Sequence, residues 1–225
     1  MSDDCPKAVF CYKGITYVGK NSGGIDSIDL QGNLTTFVGP GSKRVGSIQE
    51  YDGKLLMMRV GNLYQLCLYN LDGSFAKFCQ QQGGDCRHGR RVVVAEDLAL
   101  VASATLRQIN VHCAKDLTLL RSTKCEAIPT GGYFSIGSLG GDKLILASYQ
   151  GIISTLNHVT GHVTYTSSHK LRETAVQPLN DEIVVLSGCD WYNCRNDVSA
   201  KVLNIKTGFS ALLQNTVIIR KTYSI

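Results

Sequence analysis

The chain repeats one pattern five times along its 225 residues. Each repeat holds an apolar strand, a tight turn, a second apolar strand and a loop, and then two further strands joined by another turn. The anchors of that last turn are Gly32, Gly73, Asp116, Gly161 and Gly208, and subtracting successive positions gives spacings of 41, 43, 45 and 47 residues. A period of this length is typical of folds in which similar units stack on one another.

The first turn of each repeat recurs with the same period. It reads Lys13–Gly14, Asp52–Gly53, Glu96–Asp97, Gly141–Asp142 and Asn180–Asp181. Gly, Asn and Asp tolerate the positive φ that two-residue hairpin turns require. These residues therefore predict hairpins and do not by themselves indicate any chemistry.

The strands within a repeat differ in their patterns. Second strands such as Leu55–Met58, Leu98–Val101, Leu144–Ala147 and Ile183–Leu186 are continuously apolar, which indicates that both faces are covered. Third and fourth strands, such as Gln65–Tyr69 and Phe75–Phe78, are more mixed and predict one wetter face. No helical periodicity is present. Four-stranded units at this spacing predict an all-β fold, a β-propeller of five four-stranded blades.

We expect a single domain over residues 1–225. The blades are predicted at about residues 8–38, 46–79, 91–122, 133–167 and 174–214. Residues 215–225 are left as a closing or partner-pairing strand, because Thr216–Ile219 is apolar. Pairing of this tail with the first blade would close a five-bladed ring, which we favour. The alternative is an incomplete six-bladed ring whose open edge a partner or a second copy completes.

Composition suits a globular chain inside the cell. Hydrophobic residues make up 44% of the sequence, yet no apolar stretch is long enough to cross a bilayer. Met1–Pro6 is polar and acidic and lacks the basic and apolar layout of a secretion signal. We therefore expect an intracellular, cytoplasmic protein with no membrane partner.

The nine cysteines indicate neither a metal nor a cofactor. Those within predicted strands, expected to be small buried apolar residues, are Cys11, Cys67 and Cys113. Cys79 and Cys86 flank one loop, and Cys189 and Cys194 flank another, so each pair could form a short disulfide or bind a shared metal. Neither pair has the two-residue spacing of a zinc knuckle.

The repeat resembles a known superfamily in its spacing, its four-strand units and its closing turns, especially Thr160-Gly161-His162 and Thr207-Gly208-Phe209. Over nearly the whole chain these features are similar to the WD-repeat and quinoprotein-like β-propellers. The Trp-Asp dipeptide that ends a WD unit does not occur. The resemblance implies a toroidal platform that assembles other macromolecules, and it transfers no functional residue.

Charge distribution gives the main functional hypothesis. The net charge is +5, and basic residues outnumber acidic ones in the inter-blade segments 39–46, 81–91, 121–128 and 166–173, while the rest of the chain is nearly balanced. In a propeller these segments emerge on one face, so we expect a basic face that binds an acidic protein partner. The candidate residues are Lys43, Arg44, Arg87, His88, Arg90, Arg91, Lys170 and Arg172. An RNA-associated binding module is the alternative, although these loops contain few aromatic residues for base stacking.

A second candidate contact region is the long loop at residues 187–197. It carries Trp191, Tyr192 and Arg195, which are residue types enriched in binding hot spots. The other interpretation is that Trp191 packs against the edge of its own blade.

Enzymatic and small-ligand functions have little support in the sequence. Glu50 is the only carboxylate in the predicted first strands, so a two-carboxylate propeller hydrolase lacks its second group. A lectin-like binder would repeat the same polar residues in each unit, and only turn-forming residues recur. We therefore predict a non-catalytic interaction scaffold, with the lectin-like binder and the propeller hydrolase as alternatives.

Overall fold

The structure is a computed structural model. It describes residues 4–61, 64–80, 91–103, 106–128, 134–148, 150–168, 171–190 and 198–213. Within these ranges only the backbone is described for residues 80, 168, 171–174, 189–190, 198–199 and 212. The described residues form twenty β-strands and no helix.

The strands form five groups of four, here called blades 1 to 5. Blade 1 holds β1 (Pro6–Tyr12), β2 (Ile15–Lys20), β3 (Ile25–Ile28) and β4 (Leu34–Val38). Blade 2 holds β5 (Arg44–Tyr51), β6 (Lys54–Val60), β7 (Gln65–Tyr69) and β8 (Phe75–Gln80). Blade 3 holds β9 (Val92–Ala95), β10 (Leu98–Ser103), β11 (Gln108–Cys113) and β12 (Leu119–Lys124). Blade 4 holds β13 (Phe134–Gly140), β14 (Lys143–Ser148), β15 (Ile152–Asn157) and β16 (Val163–Ser168). Blade 5 holds β17 (Leu171–Pro178), β18 (Ile183–Asp190), β19 (Val198–Asn204) and β20 (Ser210–Leu212).

Each blade is an antiparallel sheet in which the strands lie in chain order. The first strand of each blade packs on the first strand of the next, so β1, β5, β9, β13 and β17 follow one another around the axis. This arrangement confirms the predicted all-β propeller of five four-stranded blades. The closing or partner-pairing strand at residues 215–225 lies outside the described residues.

The first turns adopt the predicted positive φ in full in blades 1 and 2, in part at Glu96 and Gly141 in blades 3 and 4, and not at Asn180 or Asp181 in blade 5. Lys13, Gly14, Asp52 and Gly53 all have positive φ, from 48° to 77°. In the last turn of blade 3, however, the positive φ of 62° falls on Leu117 and not on Asp116, so the predicted anchor was one residue early. Leu117 is fully buried.

The core consists of clusters between consecutive blades. One cluster joins blades 1 and 2, one joins 2 and 3, one joins 3 and 4, and one joins 4 and 5. Leu55, Leu56, Met57 and Met58 of β6 are all 0% exposed, since alternate side chains face opposite neighbouring blades. Burial on both faces is thus confirmed for the second strands of blades 2 to 4.

The first and last blades behave differently. Val184 and Leu186 of β18 are buried, whereas Ile183 and Val185 are only partly buried, so continuous burial was a wrong prediction for this strand. In β1, Val9 is 65% exposed and Cys11 is also exposed, which corrects the expected burial of Cys11. Among the described residues no cluster joins blade 5 to blade 1. Each terminal blade therefore has one face with less cover.

The prediction of a wetter face on the third strand was wrong for blades 2 to 4, whereas β3 of blade 1 and β19 of blade 5 are largely only partly buried. Leu66, Cys67, Leu68 and Tyr69 of β7 are all buried, because the sheets still face each other at this radius. The exposed positions lie on the fourth strand, where Phe75 is 57% exposed.

A buried polar network ties blade 2 to blade 3. His112 in β11 is 0% exposed and donates from Nδ1 to the Leu117 carbonyl at 3.1 Å, which leaves Nε2 to accept from the Tyr64 hydroxyl at 2.8 Å. The Asn110 amide donates to the same hydroxyl at 3.0 Å. Every polar atom of the His112 ring therefore has a partner, as burial requires.

Replacing His112 should lower the free energy of unfolding and reduce the dependence of that free energy on pH. Burial lowers the pKa of His112, so the folded chain holds a neutral ring while the unfolded chain takes up a proton near pH 6.5. Because the unfolded state then binds more protons, stability should fall as the pH drops from about 6.5 to 5.5. We expect His112→Gln to cost about 1–3 kcal/mol by urea unfolding at pH 7.5 and to flatten this slope.

The exposed His162 provides the control for this experiment. His162→Gln should leave both the stability and the slope unchanged. Part of the slope should persist in His112→Gln, because burial and the nearby Arg121 also lower the pKa of His158. An unchanged stability in His112→Gln would contradict the network.

The turn glycines of blades 4 and 5 allow a matched test of blade packing. Gly161 and Gly208 have nearly the same φ, 75° and 73°, so alanine is equally strained at both. A Cβ at Gly161 would collide with the Lys124 carbonyl oxygen of blade 3, whereas a Cβ at Gly208 meets nothing within 4 Å. We expect Gly161→Ala to lower the free energy of unfolding by roughly 1–3 kcal/mol more than Gly208→Ala. Equal losses would mean that the blade 3 contact contributes nothing.

Candidate interaction face

Antiparallel pairing sorts the connections of the propeller onto two faces. Each first strand starts at an inter-blade connection, so the inter-blade connections and those between second and third strands lie on one face, here called the loop face. The turns between first and second strands and between third and fourth strands lie on the opposite hairpin face. The sorting of charged residues by face made from the sequence rests on this geometry.

The structure describes part of the predicted contact set. Lys43 precedes β5 and Arg44 begins it, and both side chains are partly buried on the loop face. Arg91 precedes β9. Arg172 lies in β17, and only its backbone is described. The predicted contact residues outside the described ranges are Arg87, His88, Arg90, Lys170, Trp191, Tyr192 and Arg195.

Arg59 is a loop-face cation that the sequence analysis missed. It lies near the end of β6 and donates from Nη2 to the Gly23 carbonyl at 3.2 Å, which joins blade 2 to the β2–β3 connection of blade 1. Its guanidinium lies against Gly41, where a Cβ would come within 3.1 Å of the Arg59 Cζ. The position after a buried second-strand run is the signal that could have placed it on this face.

Arg59 and Lys43 both lie near enough to the Cys67 thiol for their positive charges to act on it. Burial raises the pKa of the Cys67 thiol, and Arg59 and Lys43 act in the opposite direction. The connection between β4 and β5 is held here by the Gly41 amide, which donates to the Ser22 carbonyl at 2.8 Å. Lys43 therefore lies in a connection whose backbone is fixed by this hydrogen bond.

Other loop-face charges are paired. Lys20 lies 3.0 Å from Asp26 and 3.4 Å from Asp4, and the Asp4 carboxylate also accepts from the Ser22 amide at 2.9 Å. These hydrogen bonds lower the pKa of Asp4. These three groups sum to one negative charge, so they add nothing to a positive excess in the blade 1 sector.

In blade 3 the loop-face cations bind backbone carbonyls. Arg107 has a positive φ of 47° and donates from Nε to the Ile128 carbonyl at 3.1 Å and from Nη2 to the Glu126 carbonyl. Lys124 donates to the Leu106 carbonyl at 3.3 Å. Only Glu126 supplies a nearby carboxylate among the described residues of this segment, so the sector keeps a positive excess.

Groups with catalytic potential do not converge in the described ranges. Glu50 accepts from the Gly53 amide at 2.8 Å, which directs its carboxylate to a hairpin turn. No set of three His, Cys, Asp or Glu side chains in the described part of the chain lies in a metal-binding arrangement. Cys86, the proposed partner of Cys79, lies outside these ranges, as do the side chains of Cys189 and Cys194. None of the described residues belongs to a helix long and apolar enough to span a bilayer.

The fold matches solved propellers. Over 92% of this chain it is similar to the WD40 domain of Pan2 from Neurospora crassa, with 10% identity and a TM-score of 0.66, and to the WD40 β-propeller domain of Doa1, with 17% identity and a TM-score of 0.69. A protein of unknown function from Bacteroides caccae matches over the same share, with 13% identity and a TM-score of 0.70. These likenesses show the fold and support the resemblance to WD-repeat propellers.

The matched domains are longer than this chain. It spans 64% of the Pan2 domain, 67% of the Doa1 domain and 81% of the Bacteroides caccae protein. No protein-family profile matches the sequence, and neither does any curated protein.

Removing the Arg59 head group should loosen the β4–β5 connection. Arg59→Met keeps the apolar stem but loses the hydrogen bond to Gly23, and we expect a loss of about 1–3 kcal/mol in unfolding free energy. Hydrogen exchange at the Gly41 amide should become faster, because its acceptor Ser22 lies in the same connection as Gly23. Arg59→Lys keeps the charge and should show a smaller change. Unaltered exchange at Gly41 in Arg59→Met would contradict this role.

Proposed function

We propose that this chain is a non-catalytic protein-interaction platform whose loop face binds an acidic segment of an intracellular partner protein. The observation that carries the proposal is the placement of Lys43, Arg44, Arg59 and Arg107 on one face. Hydrogen bonds of Arg59 and Arg107 to backbone carbonyls hold that face in shape. Cations held in place lose little side-chain entropy on binding, which favours association with carboxylates.

The fold supports this class of function by analogy. Pan2 and Doa1 carry WD40 domains, and a chain of the mitotic checkpoint complex matches 92% of this chain at 11% identity with a TM-score of 0.64. A propeller in a macromolecular assembly is therefore among its structural neighbours. Fold analogy alone names no partner.

The alternatives make different demands on the site. A propeller hydrolase needs a second carboxylate near Glu50, and the described residues that line the cavity between the first strands of blades 2 to 5 include none. RNA binding would need aromatic residues between the cations for stacking. Trp191 and Tyr192 are the aromatic residues of the proposed contact set. We therefore keep their loop in this proposal, as a binding hot spot for the partner protein or, in the RNA alternative, as a stacking site for a base.

Binding of a labelled Glu-rich peptide, measured by fluorescence anisotropy, tests the proposal. We expect Lys43→Gln with Arg44→Gln to weaken binding by about three- to tenfold, because each ion pair near the surface contributes roughly 0.2–1 kcal/mol. The matched control is Lys13→Gln with Lys115→Gln, which removes the same charge from the hairpin face and should leave affinity unchanged. Affinity should fall as salt rises from about 50 to 200 mM.

Three outcomes would count against the proposal. The first is absence of peptide binding at low salt, and the second is equal weakening by both double variants. The third is tighter binding of a single-stranded RNA of the same length than of the peptide, which would favour the RNA-associated module. Trp191→Ala adds a further arm: weaker binding with an unchanged thermal midpoint assigns the loop to the interface, whereas a lower midpoint assigns Trp191 to packing.

A further inference from the structure

A cavity lies on the propeller axis between the first strands of blades 2 to 5. Its volume is about 140 Å³, enough for one small polyatomic ion with some water. The residues that line it come from β5, β9, β13 and β17 together with Arg91. Polar side chains in the lining are those of Arg91, Gln49, Ser138 and Gln177.

Arg91 places a positive charge at this cavity. It lies immediately before β9, at the loop-face end of the lining, and its Nη1 donates to the Val176 carbonyl of blade 5 at 3.1 Å. The side chain thus reaches from blade 3 past blade 4 to blade 5. Burial lowers the pKa of Arg91, but a guanidinium remains protonated at neutral pH.

The described lining offers this charge no carboxylate. Arg91 is the only charged residue among the described residues around the cavity. One carbonyl satisfies one of its five N–H donors and supplies only a partial negative charge. A partly buried cation with no counter-charge in the described lining is unfavourable, and an anion that enters the cavity reduces that cost.

The neutral groups of the lining also suit an anion. Ser138 accepts from the Gly140 amide at 3.2 Å through its oxygen, which leaves the hydroxyl hydrogen to donate. Gln49 carries amide donors, and the exposed Gln177 donates from Nε2 to the Pro178 carbonyl at 3.2 Å, which leaves its second amide hydrogen. Arg91 lines the same cavity, so these donors share one small space.

We propose that this axial cavity binds a small oxyanion, a carboxylate or a phosphate, through the Arg91 guanidinium. The planar fork of arginine pairs with two oxygens of such a group at once, which a point charge cannot do. This site goes beyond the loop-face proposal, because its ligand lies in the axial cavity and a free ion is enough to fill it. The oxyanion is either a free ion or an acidic side chain that a macromolecule inserts.

The first arm of the test uses free ions with the full chain. Sodium phosphate and sodium acetate, at up to about 50 mM and at constant ionic strength set with chloride, are followed by thermal unfolding. At about ten times the dissociation constant the midpoint should rise by roughly 3–6 °C. Arg91→Gln should abolish this rise, Arg91→Lys should reduce it, and Lys115→Gln on the hairpin face should keep it.

A second variant guards against a folding defect in Arg91→Gln. Gln49→Leu removes one neutral donor from the cavity wall and should weaken phosphate binding at least threefold by calorimetry. No rise with either ion in the unaltered chain, or an equal rise in Arg91→Gln, would overturn the proposal.

The second arm distinguishes the two sources of the oxyanion. If an acidic side chain fills the cavity, phosphate at constant ionic strength should compete with the Glu-rich peptide, and Arg91→Gln should weaken peptide binding. If the ligand is a free ion, peptide binding is indifferent to both. Peptide binding without any effect of phosphate or acetate on the midpoint retains the loop-face function and rejects this site. A phosphate-induced rise of the midpoint that depends on Arg91, without peptide binding, retains the axial site and rejects the loop-face function.

Discussion

Face-to-face burial of apolar side chains between successive blades is the interaction on which the rest of this structure depends. A second strand such as β6 points Leu55 and Met57 at one neighbour and Leu56 and Met58 at the other, and all four are fully buried. Each such side chain stabilises the fold by roughly 1.5–3 kcal/mol relative to exposure. Because a sheet gains both contributions only when it is flanked on both sides, radiating sheets are the arrangement in which this sequence buries its core.

The same packing brings polar groups to the axis. The Ser47 hydroxyl donates to the Val92 carbonyl at 3.4 Å between blades 2 and 3, and the Val176 amide donates to Ser135 at 3.1 Å between blades 4 and 5. These bonds hold the first strands at separations that leave a small cavity with Arg91 at one end. The loop face follows from the same arrangement, since antiparallel order sends every inter-blade connection to one side.

Much of the architecture could be predicted from the repeat, because turn residues and apolar runs act locally. The errors are where burial depends on a neighbour in space. Cys11 was expected to be buried because it lies in a strand, but its face of β1 has little cover. Val185 lies in an apolar run and is only partly buried for the same reason. Leu117 takes a positive φ that its residue type does not favour, because its side chain fills the core between blades 2 and 3.

The sequence by itself determined the number of strands in a blade, the hairpins and the side of the molecule on which each loop emerges, because hydrophobic period and turn chemistry are properties of neighbouring residues. Only the tertiary structure decided which cations bind backbone carbonyls within the fold and which charge has no carboxylate beside it among the described residues. Arg59 and Arg107 bind carbonyls of segments distant in the chain, and Arg91 crosses to a blade 85 positions away to reach Val176. Such pairings depend on distances across the axis and between blades, and no local pattern in the sequence encodes them.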